Sequence, residues 1–226
     1  MAARRVSPRD AAPLDLEEEW WGAHPPSRTL AGVDEAGRGP LAGPVAAAAV
    51  SMDPQCARRL RGGELSFLTD SKRLGAEERA LAAEVLKGSP GVRLAVAFAT
   101  AAEIDRLNIL RATHLAMRRA LLALPGGVPD EALVDGMPVT GLPCTHVAVV
   151  KGDAKSFLVA AASVIAKTAR DAEMDALDSR FPGYGFAVHK GYPTPAHLEA
   201  LRRLGPCPEH RRSFGPVRDV LNPPML

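Results

Sequence analysis

Four acidic residues stand where carboxylates could do chemistry together. Asp34 and Glu35 are neighbours in "VDEAGRGPLAGPV" (33–45), Asp135 closes "EALVD", and Asp153 follows "HVAVVKG". Each follows an apolar run that reads as a strand, so three strand ends terminate in a carboxylate and one carries two. In α/β sheets, ligand sites collect at strand ends. Four carboxylates brought close together raise one another's pKa values unless cations are present. Hard oxygen donors suit Mg²⁺ or Mn²⁺. Two such ions about 3.5–4 Å apart can stabilise both the attacking and the leaving oxygen of an in-line phosphoryl displacement. The competing reading is that these acids are turn formers or helix caps, Asp153 before "SFLVAAAS" in particular. Asp34 and Glu35 also pose a difficulty, because neighbours in a regular strand point to opposite faces. Both reach one site only where the strand ends or bends, which Gly37 and Gly39 permit.

The same glycines, with Gly43, raise a second possibility, a loop cradling phosphate through backbone N–H groups. A dinucleotide fingerprint needs a helix opening directly on the glycine turn. Here Pro40 and Pro44 interrupt the loop, and "VAAAAV" is too short and too little amphipathic to favour a helix. The metal reading is the stronger.

The elements that must position these acids follow from the apolar periodicity. "TLAGVDEA" and "VAAAAVSM" read as strands joined by the glycine turn, and "GVRLAVAFATA" as a third. "EALVDG" and "HVAVVKGD" are two more. Helices are expected over "AEERALAAEVL", over "AAEIDRLNILRATHLAMRRALLAL" as one long element, over "SFLVAAASVIAKTARDAEMDALDSRF", and over "PAHLEALRRL". "FLTDSKRL" reads as a loop. Strands paired by tight turns, then strands alternating with helices, imply a mixed α/β sheet with helices on its faces. Residues 1–28 mix Pro and charge runs without periodicity. They are expected to be a poorly structured tail holding at most one short helix, with Trp20 or Trp21 docked on a domain that spans 29–226. Deleting this tail is expected to leave activity within a factor of a few.

At 226 residues and 46% hydrophobic content the chain can bury one sizeable core, and with aromatics at only 4% that core must come from Ala, Val and Leu. Between Ser179 and Arg218 there are 7 Lys/Arg against 2 acidic residues, which is either a solvated basic face or a polyanion-binding surface. Three cysteines far apart, with no C-x-x-C, argue against a disulfide framework or a zinc site and fit a reducing cytosol. No apolar run approaches the length of a membrane span. A soluble, cytoplasmic monomer without membrane association is expected.

Taken together and in order, "AGVDEAGRGPLAGPV", "LTDSKRL", "EIDRLNIL", "LVDG", "VVKGDAKSFLVAAASVIAKTARDAEM", "YGFAVHKGYPT" and "HRRSFGPV" resemble ribonuclease HII, of the ribonuclease H-like superfamily. The resemblance covers about 30–217. It implies a ribonuclease H-like mixed sheet flanked by helices, with a helical C-terminal extension that binds substrate. The family's acidic quartet falls on Asp34, Glu35, Asp135 and Asp153, as catalytic residues and ligands of Mn²⁺ or Mg²⁺. Its Gly-Arg-Gly element falls on Gly37, Arg38 and Gly39, and its substrate-sensing tyrosine on Tyr192. The implied activity is cleavage of the RNA strand of RNA/DNA hybrids and incision 5′ of single ribonucleotides in duplex DNA, leaving a 3′-hydroxyl and a 5′-phosphate, in replication and repair.

Beside the resemblance, Lys72 is placed for a phosphate contact, although an ordinary surface lysine is the simpler reading. His210, Arg211 and Arg212 either grip phosphates or cap the domain, and Ala160, Ala161, Ala162 and Ser163 suggest close helix-on-sheet packing. Met137 and Ala154 depart from the family pattern, which usually shows Asn and often Ser there; a polar contact near Asp135 is expected to be missing. Two rivals remain at this point, a structure-selective DNA nuclease of the same superfamily and a non-catalytic nucleic-acid-binding module.

Overall fold

In the computed structural model, which describes residues 11–222, five strands form one sheet. They are β1 (Leu30–Ala36), β2 (Val45–Met52), β3 (Val92–Ala99), β4 (Glu131–Asp135) and β5 (Thr145–Val149), in the spatial order β3-β2-β1-β4-β5. The β1–β2 and β2–β3 pairs are antiparallel, whereas β1–β4 and β4–β5 are parallel. This is the mixed sheet that the apolar runs imply. All of β2 is buried, on both faces, which explains why "VAAAAV" is built from small residues. Helices approach it from both sides.

The helices are α1 (Asp15–Ala23), α2 (Pro54–Gly62), α3 (Ala76–Gly88), α4 (Ala101–Leu107), α5 (Ile109–Leu122), α6 (Phe157–Arg180), α7 (Phe186–His189), α8 (Pro195–Leu204) and α9 (Gly215–Leu221). The 24 residues of α6 run about 36 Å along one face of the sheet. Contact there is close: a Cβ on Gly32 of β1 would lie 2.2 Å from the Leu158 carbonyl carbon, so only glycine fits. The buried Ala160–Ala162 stretch continues this seam, as its composition suggests. On the opposite face α5 packs Ala112, Ala116, Met117, Ala120 and Leu121 against Ala31, Val33 and Ala47. The C-terminal helices gather around the far end of α6, where Met174 and Leu177 meet Tyr184, Phe186 and Ala200.

Three differences from the sequence reading have local causes. The long helix after β3 is two helices, because Asn108 takes φ 69°, ending α4, and its side chain then accepts the Arg111 N–H to open α5. Helix α2 is an additional element with a local signal: Asp53 caps it by accepting the Cys56 N–H, and Pro54 stands at its first position. The third correction concerns 11–28, which are ordered and packed on the domain rather than poorly structured; residues 1–10 lie outside the described range. Within this stretch the expected short helix is α1, and Trp20 is buried with its indole N–H donating to Glu131 at 2.9 Å. Ala12 N–H bonds to the Leu68 carbonyl, and the Pro13 carbonyl accepts from the Phe157 N–H.

Glu17 shows why this segment is held. It is fully buried, and its Oε1 accepts from the Ser156 hydroxyl at 2.6 Å and the Leu158 N–H at 2.9 Å, both at the N-terminus of α6. Among the described residues its buried Oε2 has no hydrogen-bond partner. Burial pushes the Glu17 carboxyl above its ordinary value of 4.5, with the hydrogen bonds from Ser156 and Leu158 opposing. A value raised on folding means that the associated stability is complete below 4.5 and is lost as pH rises through the folded value. Glu17→Ala should therefore cost about 2–3 kcal/mol by stranding two buried donors. Glu17→Gln, which keeps an acceptor and carries no charge, should gain on the wild type as pH rises from about 4 to about 7. Urea unfolding of the three proteins at both ends of that range measures the effect, and a wild-type-to-Gln difference that does not move with pH would contradict it.

Candidate active site

The parallel register of β1 and β4 brings the first acids together. Leu30 pairs with Glu131 and Val33 with Val134, so Asp34 and Asp135 stand side by side one step beyond the last pair. Both lie on the face covered by α6, in phase with Leu30 and Leu133 of that core layer. The neighbour problem between Asp34 and Glu35 resolves at the same point. Asp34 and Glu35 are still paired with β2, through Ala48 and Ala47, but no β4 partner continues past Val134. Glu35 therefore sits at an open corner of the sheet, within electrostatic reach of Asp135 and Lys72. Asp153 arrives differently from expectation. It is not at the end of β5 but in a 3₁₀ turn, Gly152–Ala154, entered through Lys151 in a left-handed conformation (φ 58°). The Gly152 N–H donates to Asp135 Oδ1 at 2.6 Å, tying this turn to β4. Asp153 does not cap α6 either; the Ser156 hydroxyl does so by accepting the Val159 N–H.

Electrostatics bind the four acids into one group. The buried Asp34 carboxyl is raised well above its ordinary range by desolvation, then by the charges of Glu35 and Asp135, with the Glu35 N–H and the Ser163 hydroxyl opposing. Glu35 is raised chiefly by burial and further by Asp135, while Arg38 and Lys72 pull it down. Asp153 is pushed up to about 6 by burial, by Asp70 and by Asp135. For Lys72, burial disfavours the ammonium, but Asp70, Asp34, Asp153 and Asp135 together outweigh it and raise its pKa. An ordinary surface lysine would not face four carboxylates. Lys72 is a counter-charge of the site.

Arg38, Gly39, Lys72 and Tyr192 line one cleft of about 260 Å³, together with Glu35 and Gly37. The ring of Tyr192, 44% exposed, lies in van der Waals range of Gly39, where a Cβ would be 3.5 Å from its Cε1. Ser163, Lys167 and Arg170 of α6 line the same cleft; the sequence suggests Ser163 only as part of the packing seam and gives no signal for Lys167 or Arg170. Asp70, two residues before Lys72 in "LTDSK", also faces this corner, where its charge helps raise Asp153. Met137 is 74% exposed, so the polar side chain missing at that position is missing from the surface rather than from a buried contact. His210 and Arg211 are buried and do not reach out to phosphates. Arg212 is exposed, and its N–H donates to Asp105.

The donor set is entirely carboxylate oxygen; Asp34, Glu35 and Asp153 are raised first by burial and then by neighbouring carboxylates, a repulsion that a divalent cation would relieve. In this respect the residues fit Mg²⁺ or Mn²⁺. Among the described residues, however, no three Asp, Glu, His or Cys side chains close on a common point as a formed metal cage does. What is present is a convergent negative corner beside a cleft with cations on its wall. That arrangement suits a phosphodiester held by basic groups and attacked at the acidic corner. Among the described residues no helix is long and apolar enough to cross a membrane.

Comparison with known proteins agrees with this geometry. A family model described as ribonuclease HII matches residues 31–217. The chain is 53% identical over 192 residues to a ribonuclease HII of Nitrosococcus oceani, covering 85% of this chain and 91% of that one. It is 54% identical to a ribonuclease HII of Laribacter hongkongensis, over 86% and 94% of the two chains. Its fold is similar to that of the ribonuclease H2 from Pyrococcus horikoshii, with a TM-score of 0.68 at 29% identity over 85% of this chain and 96% of that one. The chain belongs to the ribonuclease HII family, and is an endonuclease acting on RNA/DNA hybrids.

Proposed function

We propose that the chain both cuts the RNA strand of hybrids and incises 5′ of single ribonucleotides in duplex DNA, by two-metal-ion hydrolysis that leaves a 3′-hydroxyl and a 5′-phosphate. The observation that carries this reading is the adjacency of two features. A coupled corner of Asp34, Glu35, Asp135 and Asp153 borders a cleft that gathers Gly37, Arg38, Gly39, Lys72 and Tyr192. A purely binding surface has no use for convergent carboxylates that repel phosphate.

In this reading Asp34, Glu35, Asp135 and Asp153 hold Mn²⁺ or Mg²⁺. Bound there, divalent ions would supply Lewis acidity toward the phosphate and lower the pKa of water. The chain's own groups do the rest. Water oxygen attacks phosphorus and the bond from phosphorus to the 3′-oxygen breaks, so that oxygen leaves as the hydroxyl. Lys72, held charged by its carboxylate neighbours, neutralises a phosphate oxygen. The Gly37–Gly39 backbone reads the ribose 2′-OH, the group that distinguishes RNA from DNA. Tyr192 stacks on the next sugar, where a second 2′-OH would crowd the ring. This junction test favours the single-ribonucleotide reading over a DNA nuclease that ignores the sugar.

Asp34→Asn and Asp135→Asn should each abolish cleavage in Mg²⁺ and Mn²⁺ while leaving duplex affinity intact or improved, since a charge opposing phosphate is removed. Near-normal turnover in either variant would sink the metal assignment. Selectivity is tested at Tyr192. Stacking on an aromatic is worth roughly 1–3 kcal/mol, so Tyr192→Ala should lower kcat/KM about 10- to 100-fold on a single-ribonucleotide duplex. Tyr192→Phe should lose less, and a long hybrid should suffer less from either change. An unchanged ratio between the two substrates in Tyr192→Ala would remove the ring from recognition.

A further inference from the structure

Two arginines, Arg170 of α6 and Arg211, are 1% and 0% exposed, yet every hydrogen bond shown for either guanidinium ends on a backbone carbonyl. Arg170 donates to Pro44 O (3.1 Å), Lys190 O (3.0 Å) and Ala42 O (3.2 Å). Arg211 donates to Gly43 O (3.0 Å), Arg38 O (2.9 Å), Gly37 O (2.6 Å) and Pro44 O (3.2 Å). Among the described residues neither is in an ion pair. Burial drives both pKa values down, Arg211 to about 9 with help from Arg170. Burying two cations without a counter-ion is costly. Capping carbonyls alone could be done by neutral side chains. The arrangement therefore points to a task that needs this donor geometry.

The task can be read from the peptide planes. In a trans peptide the carbonyl and the following N–H point in opposite directions. Arg211 draws the Gly37 and Arg38 carbonyls inward, so the Arg38 and Gly39 N–H groups are turned outward. Both residues are exposed, and among the described residues neither N–H donates a hydrogen bond within the protein. Gly37 itself is fixed by the clamp: at φ +95°, a Cβ there would lie 1.9 Å from Arg170 Nε. Its glycine identity is thus demanded by a buried arginine rather than by nucleic acid. The same clamp reaches the tyrosine segment. Arg170 holds Lys190 O, while Leu41 N–H donates to Gly191 O and Arg211 N–H to Leu41 O, each at 2.8 Å. Two residues past Lys190 stands Tyr192.

We propose that Arg170 and Arg211 are positioning residues for nucleic-acid recognition, a paired internal clamp that presents the Arg38 and Gly39 amides and the Tyr192 ring as one preformed surface for the substrate's sugar and phosphate. This rests on the reading of the cleft as the ribose-sensing site. Lysine at either position keeps the charge but lacks the planar fork that serves several carbonyls at once.

The test compares wild type with Arg211→Lys and Arg170→Lys on a single-ribonucleotide duplex and on a long hybrid. KM, kcat, thermal unfolding and hydrogen exchange across 37–44 and 190–192 are followed. In Arg211→Lys, KM for the single-ribonucleotide duplex should rise about 10-fold, the scale of one hydrogen bond to a charged or polar group. Its kcat should change less, and exchange should quicken in those two segments alone. A purely structural role would instead lower kcat on both substrates through a smaller active fraction, with KM unchanged. That result, or unaltered exchange in folded variants, overturns the proposal. If neither lysine variant folds, the wild type decides. Its Arg38 and Gly39 amides must exchange quickly when free and become protected on binding duplex; failure of either overturns the clamp. Should wild type not incise at the single ribonucleotide, the ribose-sensing reading fails, while the exchange result still judges the clamp on its own.

Discussion

Repulsion among carboxylates at one corner of a sheet is the constraint around which this structure is arranged. Asp34 is buried beside Glu35 and Asp135, and each of these contacts makes its ionised form harder to sustain. A fold tolerates that only if the backbone leaves no alternative. Here the parallel β1–β4 register fixes Asp34 against Asp135, and the Gly152 N–H pins both Asp135 and the turn that carries Asp153. The sheet is in turn immobilised by α6, which can approach β1 so closely only because Gly32 has no side chain. The opposing charge comes from a loop, through Lys72, rather than from the sheet. Rigid elements therefore hold the mutually repelling groups, while the compensating cation sits on a loop that also lines the cleft.

The N-terminal segment belongs to the same problem. Asp153 sits just ahead of α6, and the first turn of α6 is held by a buried carboxylate, Glu17, 139 residues away in sequence from Ser156. The Pro13 carbonyl fixes Phe157, and Ala12 fixes Leu68, at the entrance to the loop bearing Asp70 and Lys72. Residues 11–20 thus brace two of the segments that converge on the acidic corner. A helix N-terminus favours negative charge, so a carboxylate at this point is electrostatically sensible even though burial opposes it.

This dependence was not legible in the sequence. Strands, apolar faces and the quartet could be read because each is a local pattern: an apolar run ending in an acid, or a glycine turn between two such runs. Glu17 sits in "DLEEEWW" beside two other glutamates, and nothing local separates the one that is buried from its neighbours. Asp70 and α2 failed differently. Their signals, an acid two residues before a lysine and an Asp-Pro helix start, were present and could have been used. For Arg211 the pattern "HRRSF" leaves phosphate contact and domain capping equally open, and only the fold reveals that the first arginine turns inward while Arg212 stays exposed.

The two charge clusters of the site solve opposite problems. The acids are close to one another and short of donors, and their mutual repulsion is the kind that cations relieve. The two arginines are also close to one another, but seven hydrogen bonds to carbonyls satisfy them, and the cost of burying them is offset by those bonds. A carbonyl-bound guanidinium stays positive and reverses the usual polarity of a loop, with oxygens inside and amides outside. Backbone amides presented in this way prefer anions and hydroxyl oxygens. The loop between Glu35 and Pro44 thus runs from a carboxylate raised by burial to a stretch whose carbonyls are bound inward by Arg211.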